Sequence, residues 1–373
     1  MHLDEVIAEA RRTMEVCNAC RYCEGFCAVF PAMELRREFA DGDLTYLANL
    51  CHGCRGCYYA CQYAPPHEFG INVPQVFADL RLESYEKYAW PRPLARLFQK
   101  NGTVVSLVTT AAVTLALILT AALQKPEIVL GVHTGEGAFY RVIPWGVMAG
   151  IAGLTSLFSL AAIVISLVLF WRDSGGSGTP PPAPIANAAA DILTLRNLGG
   201  GGHGCNDRDE TFSTGRRRFH HALFYGFGLC FASTTTAWIY DHFLGLQAPY
   251  PFFSLPVLLG TVGGVGMVIG AAGLLWLKIT SDSAPVAKRM LGIDYAFLVQ
   301  LLLVALTGLL LLAFRATAAM GTLLAIHLGF VMALFVLLPY SKFVHGGYRG
   351  LALLRARMEK ARHAGGVAAA ESA

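Results

Sequence analysis

Polar and apolar residues are segregated along this chain into a polar first quarter and a largely apolar remainder. Residues 1–98 are polar enough for a soluble region, with helical periodicity over 4–15 and 34–49. Six apolar stretches follow, near 103–123, 142–171, 219–241, 252–277, 293–314 and 321–341. A helix of about 20 residues crosses a hydrocarbon core of ~30 Å. One such stretch could be a buried core helix, but six in succession predict a transmembrane bundle.

Composition supports the same interpretation. Hydrophobic residues make up 55% of the 373 residues, and charged residues only 14%. Soluble domains carry about 25% charged residues, so the deficit favours burial in lipid. The net charge of +4 is too small to indicate a nucleic-acid partner.

Lysine and arginine are unevenly distributed between the two sides of the predicted bundle. The flanks on the side of the N-terminal region hold most of them, including the run Arg216 to Arg218. The opposite flanks hold Lys125, Arg141 and Arg315. Because positive flanks stay in the cytoplasm, we expect a multi-pass protein of the inner (cytoplasmic) membrane, with residues 1–98 and both termini cytoplasmic. The charged start of the chain is unlike a signal peptide.

These patterns predict five regions. They are a cytoplasmic head (1–98), transmembrane helices 1 and 2 (99–172), a cytoplasmic Gly/Pro-rich loop (173–218), transmembrane helices 3 to 6 (219–345) and a cytoplasmic tail (346–373). The loop begins DSGGSGTPPPAP, which is typical of a flexible and then stiff linker. Its Cys205 could contact a partner or a redox group, but we expect a solvated loop thiol. We expect Cys230 in helix 3 to serve packing.

The fourth apolar stretch is rich in small residues at regular intervals. These are Gly263, Gly266, Gly270 and Gly273. Small residues let helix backbones approach closely within a membrane, so we expect another helix to pack against this stripe.

Eight of the ten cysteines form two runs of identical spacing in the head. The runs are Cys17-x2-Cys20-x2-Cys23-x3-Cys27 and Cys51-x2-Cys54-x2-Cys57-x3-Cys61. In two-cluster ferredoxins with this spacing, the fourth cysteine of each run ligates the other cluster. We therefore predict two [4Fe–4S] clusters, one held by Cys17, Cys20, Cys23 and Cys61, and one held by Cys51, Cys54, Cys57 and Cys27.

The details of the two runs refine this prediction. We expect three thiolates of each run on a tight loop and the fourth on the helix that follows. Bacterial runs usually have proline after the fourth cysteine, but Ala28 and Gln62 stand there, so the chain should leave each run differently. Structural zinc is the alternative, but zinc sites typically use two spaced pairs of ligands. A reducing cytoplasm argues against disulfides.

Histidines stand near the ends of two predicted transmembrane helices. Helix 3 begins with His220 and His221 and ends with His242, and helix 6 would run from His327 to His345. If helices 3 and 6 are antiparallel, His220 or His221 meets His345 on the cytoplasmic side, and His242 meets His327 on the other. Two such pairs suit one or two b-type haems with two axial histidines. The alternative is ordinary interfacial histidine beside cationic residues, and the choice between His220 and His221 stays open.

The sequence resembles a known family at several separate places. CNACRYCEGFCAVFPAME, CHGCRGCYYACQYAPPHEF, LRNLGGGGHGC and PYSKFVHGGYR are together similar to the tricarballylate utilization 4Fe-4S protein family TcuB, also called citrate utilization protein CitB. The resemblance covers nearly the whole chain. It implies a mainly α fold, with a dicluster ferredoxin-like helical domain fused to a six-helix bundle that resembles the nitrate reductase gamma subunit.

The resemblance also implies a partner and a route for electrons. The partner would be an FAD-dependent tricarballylate dehydrogenase, TcuA-like, whose reduced flavin is reoxidised through the clusters and b haems to membrane quinone. Similarity to cytochrome b subunits of nitrate reductase and heterodisulfide reductase matches the histidine pairs.

Two other functions stay open at this point. A heterodisulfide-reductase-like enzyme subunit would need its own substrate site, for instance a flavin motif or a third cysteine-rich segment, and neither is visible. A redox-sensing membrane anchor or transporter component would favour broken helices with buried acidic residues, which the apolar stretches almost lack. No catalytic triad or carboxylate pair stands out, so the sequence predicts an electron-transfer component without catalytic residues of its own.

Overall fold

The computed structural model describes residues 3–98 and 100–371, the side chains at 201 and 365–371 excepted. The described chain is mainly helical, and no strand occurs in these ranges beyond one isolated bridge between Cys205 and Ser213. This confirms the predicted mainly α class.

Five helices form the head. They are α1 (Leu3–Cys20), α2 (Val29–Glu34), α3 (Asp41–Leu50), α4 (Gly56–Tyr59) and α5 (Val73–Tyr88), and a 3₁₀ turn at Arg92–Phe98 leads out of them. The predicted single helix over 34–49 is wrong, because residues 35–40 separate α2 from α3. At this break Arg36 pairs with Asp43 at 2.8 Å and with Glu359 at 2.6 Å. The periodicity of neighbouring residues cannot reveal an ion pair with a residue as distant in the sequence as Glu359.

Six helices are long and apolar enough to cross a membrane, as predicted. They are α6 (Asn101–Leu123), α9 (Trp145–Asp173), α11 (Gly215–Leu244), α12 (Leu255–Ile279), α13 (Leu291–Phe314) and α14 (Met320–Leu337). The short helices α7 (Pro126–Val129) and α8 (Ala138–Val142) connect α6 to α9. Helix α10 (Pro182–Thr194) lies between α9 and α11, and α15 (Val344–Glu371) ends the described chain.

The glycine stripe of α12 packs directly against α11, which confirms the prediction of a close helix approach. A Cβ added to Gly263 would lie 2.7 Å from the Gly226 carbonyl oxygen, and one added to Gly270 would lie 2.4 Å from the Leu223 nitrogen. No side chain larger than hydrogen fits there without moving a backbone. Cys230 serves this packing, since its sulfur would lie 2.9 Å from a Cβ at Gly263.

An aromatic core joins the head to the membrane half. Tyr348 of α15 contacts the ring of Tyr85 on α5, with centroids 5.3 Å apart, and the ring of Phe170 on α9, with centroids 5.0 Å apart. Tyr88 packs on Phe170 from the head side. These buried rings belong to one continuous hydrophobic cluster, so the head is held as part of the same core as the helices below it.

The segment 173–218 is more structured than a linker. Its helix α10 packs on α15, where Arg357 pairs with Asp191 at 2.6 Å. Residues 195–216, which we call the cover segment, then return to the head. The prediction of a simple Gly/Pro-rich loop is wrong for this half, because Cys205 and its neighbours are buried against the cysteine runs.

Candidate functional site

Each cysteine run starts at the end of a helix. Cys17 and Cys20 lie in the last turn of α1, and Cys51 directly follows α3. The expected arrangement of three loop cysteines and one helical cysteine is therefore wrong in detail. Cys27 stands just before α2 and Cys61 just after α4. Helix ends place the first thiols of each run, a constraint that spacing alone does not reveal.

Left-handed residues turn the chain inside both runs. Arg21 has φ of +55° and Arg55 has φ of +69°, although neither is glycine. Gly53 adds a third such turn, with φ of +64°. These conformations are uncommon for residues with side chains. They fold each run back on itself, so that its cysteines face a common space.

The structure brings the eight cysteines together in two sets. The outer set, at the solvent side of the head, consists of Cys17, Cys20, Cys23 and Cys61. The inner set, beside the membrane half, consists of Cys27, Cys51, Cys54 and Cys57. Cys17 interacts electrostatically with Cys61, Cys23 and Cys20, and Cys27 with Cys54 and Cys51. The fourth cysteine of each run thus lies with the other run, and ligation itself stays a prediction.

The donor chemistry of the two sets suits a polynuclear iron cluster. Burial raises the pKa of Cys17 and Cys23 to about 12, and neighbouring cysteines add to the effect. Burial also raises the pKa of Cys27 and Cys57 well above the usual value. Without a cation these thiols stay protonated at pH 7, and a metal that binds them as thiolates balances their charge. Iron in a cluster is such a metal, because thiolates are its standard ligands.

The outer set lines a cavity of about 300 Å³. Its wall includes Cys17, Cys20, Cys23 and Cys61, together with Cys57 of the inner set. Among residues 3–98 and 100–371, no three His, Cys, Asp or Glu side chains converge on one point. The case for a cluster therefore rests on the number and type of the ligands, since four thiolates are the usual ligand set of one [4Fe–4S] cluster.

The two sets differ in exposure. Tyr22, beside the outer set, is 69% exposed, and the outer cavity opens at the surface of the head. In the inner set, Cys51 and Cys54 are each only 7% exposed. The outer set therefore lies at the surface of the head, whereas Cys51 and Cys54 of the inner set are buried and Cys27 and Cys57 are half-buried.

The cover segment encloses the inner set. The Asn206 backbone N–H donates to the Cys54 carbonyl oxygen at 2.9 Å, and Arg216 donates to the Gly53 carbonyl oxygen at 2.6 Å. A Cβ on Gly200 would lie 3.8 Å from the Cys54 sulfur. This contact was missed from the sequence, where only the motif GGGGHGC in an otherwise polar loop hinted at it.

Cys205 is not the solvated thiol that we expected. It is fully buried, and its backbone pairs with Ser213 in both directions at 2.8 Å. Its thiol faces the Leu198 carbonyl oxygen at 3.4 Å. Burial raises the pKa of Cys205 to about 12, so it is a neutral packing residue beside Cys54. The glycines of the motif explain the error, because they allow the chain to fold tightly rather than remain solvated.

On the membrane side, the inner set faces a group of histidines. His52, next to Cys51, donates its Nδ1–H to the Leu50 carbonyl oxygen, 2.8 Å away. Burial, with Arg349 adding to it, holds the pKa of His52 and of His345 well below the usual value. Both rings are therefore neutral at pH 7, the form that can ligate a metal.

His220 and His345 form the predicted histidine pair on this side. Their ring centroids are 6.2 Å apart and their planes are tilted by 74°. A metal bonded to two imidazoles at about 2 Å each holds the nitrogens about 4 Å apart, with the ring centres further apart still. The centroid distance of 6.2 Å falls in that range, and ligation by this pair stays a prediction. His221 instead packs on Tyr225, with centroids 5.7 Å apart.

The second predicted pair is not assembled. His242 packs against Trp145 and Trp238, at centroid distances of 5.1 and 4.9 Å. His327 lies against α13, where its Nδ1 is 3.1 Å from the Thr307 hydroxyl. No ring contact joins the two histidines within the described ranges. The cause is helix packing, since α11 packs mainly on α12, whereas α14 packs on α6, α9 and α13.

The expected helix from His327 to His345 is also interrupted. Helix α14 ends at Leu337, a 3₁₀ turn follows at Leu338–Tyr340, and Ser341 is extended. His345 belongs to α15 instead. Pro339 explains the break, because proline lacks the N–H that a continuing helix needs. His345 therefore pairs with His220 because of where α15 is placed. The pairing does not depend on His327 and His345 sharing one helix.

Fold and site together define a membrane protein whose six-helix bundle carries a helical head with two ferredoxin-type cysteine sets. Residues 10–87 match the domain described as Citrate utilization protein B Fer4-like domain, and residues 98–366 match Citrate utilization protein B. The chain belongs to the citrate utilization protein B family. This confirms the resemblance predicted from the sequence, and the Fer4-like domain supports iron–sulfur electron transfer as its general activity.

A relative from Escherichia coli covers almost the same length. Citrate utilization protein B of Escherichia coli is 50% identical over 362 residues, which are 96% of this chain and 94% of that protein. No solved structure matches the chain.

Proposed function

We propose that this protein takes electrons from a soluble FAD-dependent dehydrogenase and delivers them to quinone in the membrane. Two [4Fe–4S] clusters, held by the outer and inner cysteine sets, would supply one-electron carriers between the two-electron flavin and the membrane. The observation that carries the proposal is the asymmetry of the sets. One opens to solvent, and the other is pressed against the membrane half.

The exposure around the outer set supports the proposal that electrons enter the protein there. Cys20 and Cys23 are partly exposed, and Tyr22 and the cavity walls offer an apolar surface beside them. A partner that approaches here comes nearer to the outer set than to the inner one. The resemblance of the sequence suggests a tricarballylate dehydrogenase as that partner, and the name of the relative from Escherichia coli points to the same area of tricarboxylate use.

The contacts of the inner set support the proposal that electrons leave it toward the membrane half. Arg349 of α15 donates to the Cys51 carbonyl oxygen at 2.9 Å, next to the His220–His345 pair. We propose that this pair holds a b-type haem on the cytoplasmic side, which would accept electrons from the inner set. His242 and His327 remain candidates for a second haem only if α11 and α14 approach each other more closely than in the present arrangement.

The test of the cluster proposal uses protein purified without oxygen. Two clusters predict about eight iron atoms per chain, and Cys20→Ser and Cys54→Ser should each lose about half of them. With the flavoprotein as donor, both variants should fail to reduce quinone, while the flavoprotein still turns over with an artificial acceptor. Cys230→Ala, a cysteine outside both sets, is the matched control and should keep iron and activity. Stoichiometric zinc without iron, or full quinone reduction by Cys54→Ser, would refute the proposal.

The haem is tested separately by reduced-minus-oxidised spectra. His345→Ala should lose the b-type band that the wild-type protein shows. His133→Ala is the control, because His133 bonds the Ile128 carbonyl oxygen at 2.6 Å in the connection between α6 and α9, away from the cysteine sets. A wild-type spectrum without a b band would remove the haem and leave the clusters unaffected.

A further inference from the structure

Positive side chains gather around the inner cysteine run. Arg81 and Arg349 both donate to the Cys51 carbonyl oxygen, at 3.2 and 2.9 Å. Arg216 donates to the Gly53 carbonyl oxygen at 2.6 Å. Arg55 is part of the run itself and is only 7% exposed. Four guanidinium groups thus lie at or near the backbone of one short loop.

Two carboxylates balance part of this charge. Asp207 of the cover segment forms an ion pair with Arg216 and is almost fully buried. Asp282 accepts a hydrogen bond from the Tyr59 hydroxyl at 2.6 Å and interacts with Arg55. Four positive and two negative groups leave an excess of positive charge beside the inner set.

The outer run has no comparable surroundings. Arg21 is exposed and donates to the Asn18 carbonyl oxygen within its own turn. Burial, followed by the nearby carboxylate of Glu24, raises the pKa of Glu34, and Arg21 only partly offsets them. The outer set therefore lies in a more exposed and less positive environment than the inner set.

We propose that the arginines around the 51–57 loop raise the reduction potential of the inner centre above that of the outer centre, with Arg216 as the positioning residue supplied by the cover segment. The reduced form of an iron–sulfur centre carries one more negative charge than the oxidised form. Nearby positive charge stabilises that form, and enclosure strengthens the interaction. The charge difference would give the electron path its direction, from solvent to membrane.

This inference rests on the proposed presence of the clusters, and the experiment separates the two. The midpoint potentials are measured by titration with dithionite, following the electron paramagnetic resonance signals of the intact protein in detergent. Cys20→Ser and Cys54→Ser variants assign the signals to the outer and inner centres. Absence of both signals and of iron would contradict the clusters themselves, whereas two signals with unexpected potentials would contradict only the inference.

Arg216→Gln is the first variant to measure. It removes a positive charge from the inner loop, so the equilibrium constant for placing the electron on the inner centre should fall on the order of tenfold, or about 59 mV for one electron. The outer potential should stay unchanged. Arg217→Gln is the matched control, because Arg217 is the next residue of α11 but donates to the Thr194 carbonyl oxygen at 2.8 Å instead. It should leave both potentials at their wild-type values.

Asp207→Asn supplies a shift of opposite sign. It removes a negative charge from the same place, so the inner potential should rise. Arg216→Lys keeps the positive charge, so its inner potential should stay close to that of the wild type. General loosening of the site cannot produce a rise in one variant and a fall in the other. If Arg216→Gln does not assemble the inner centre, the inner potential of Asp207→Asn alone tests the inference. An inner potential that does not rise in Asp207→Asn, or that lies below the outer one in the wild type, would overturn the inference.

Discussion

The two cysteine runs have the same spacing but different surroundings. The outer run is held by the last turn of α1 and opens at the surface of the head. The inner run is covered by residues 195–216 and contacts α15 through Arg349. Identical motifs in one chain thus occupy one open and one enclosed site.

This difference shows that a ligand motif and its environment are specified by separate parts of the sequence. The spacing of the cysteines determines which thiols can share a centre. Exposure and charge around that centre come from residues about 150 positions away, which only the fold brings near. The inner site is therefore the more sensitive of the two to changes in the membrane half.

The largest expected effect follows from Gly270→Val in α12. The added Cβ alone would lie 2.4 Å from the Leu223 nitrogen and 2.7 Å from the Phe219 carbonyl oxygen. Overpacking of this kind costs about 3 kcal/mol. Because α11 also carries Arg216, its displacement should disturb the inner set and spare the outer one. We expect a lower Tm in detergent and selective loss of the inner electron paramagnetic resonance signal.

Gly228→Val is the control for this comparison. Gly228 is an exposed residue of the same helix pair, with nothing within 4 Å of an added Cβ. It should keep the Tm and both signals close to wild type. Equal loss of the outer and inner signals in Gly270→Val would show that the two sites do not differ in their dependence on the membrane half.

A smaller effect is expected when the cover segment is opened. Gly204 has φ of +114°, and a Cβ there would lie 2.4 Å from the Ser213 carbonyl oxygen. Gly204→Ala should separate the two chain segments that the Cys205–Ser213 bridge joins and admit solvent to Cys54. On exposure to air, iron should then be lost from the inner centre severalfold faster than in the wild type, as measured by decay of visible absorbance.

Gly199→Ala, in the same cover segment, is the control for Gly204→Ala. Nothing lies within 4 Å of a Cβ at Gly199, and its φ is not positive. Gly199→Ala should therefore decay at the wild-type rate. If Gly204→Ala decays no faster than Gly199→Ala, the cover segment does not protect the inner set.

Much of this architecture is readable from the sequence because its signals are local. Six apolar stretches, the glycine stripe of α12 and the two cysteine runs each depend on short-range spacing, and the known ferredoxin pattern supplied the exchange of the fourth cysteines between the runs. The burial of Cys205 was missed, because it depends on residues 195–216 folding back over Cys54. The helix from His327 to His345 was mispredicted, because a periodicity argument passed over Pro339.

The histidine pairs illustrate the same limit. Helix order alone placed His220 or His221 near His345, and the structure brings His220 there. Helix order also placed His242 near His327, but the structure gives these rings other partners, because antiparallel order does not say which helices are neighbours. The packing of α11 on α12 through Gly226 and Gly263 decides that question, and it is a tertiary property.

The contact between the inner run and the loop after α12 should make the stability of the protein depend on pH. Asp282 accepts hydrogen bonds from the Tyr59 hydroxyl at 2.6 Å and from the Ala284 N–H at 2.9 Å. Burial opposes its ionisation, but these bonds and Arg55 outweigh it and lower the pKa of Asp282. Because the folded pKa is depressed, the stabilisation is present above the ordinary aspartate pKa of about 4 and is lost as pH falls through the folded value.

Asp282→Asn should therefore reduce stability by about 1 kcal/mol at pH 7, and the difference from wild type should disappear in acid. The measurement is Tm against pH for Asp282→Asn, Tyr59→Phe and the double variant. The two single changes should be non-additive, because they remove the same hydrogen bond. Additive effects, or a difference that grows as the pH falls, would contradict this assignment.

The smallest effect on the iron content is expected from Cys205→Ala, which distinguishes a covering cysteine from a ligating one. Cys205 lies beside Cys54, yet its thiol faces the Leu198 carbonyl oxygen and its burial keeps it protonated. Removing the buried sulfur should cost about 1 kcal/mol of stability and leave the iron content unchanged. Cys54→Ala, only a short distance away, should lose about half of the iron. If Cys205→Ala also loses half of the iron, Cys205 is a ligand, and the assignment of Cys27 to the inner set has to be replaced.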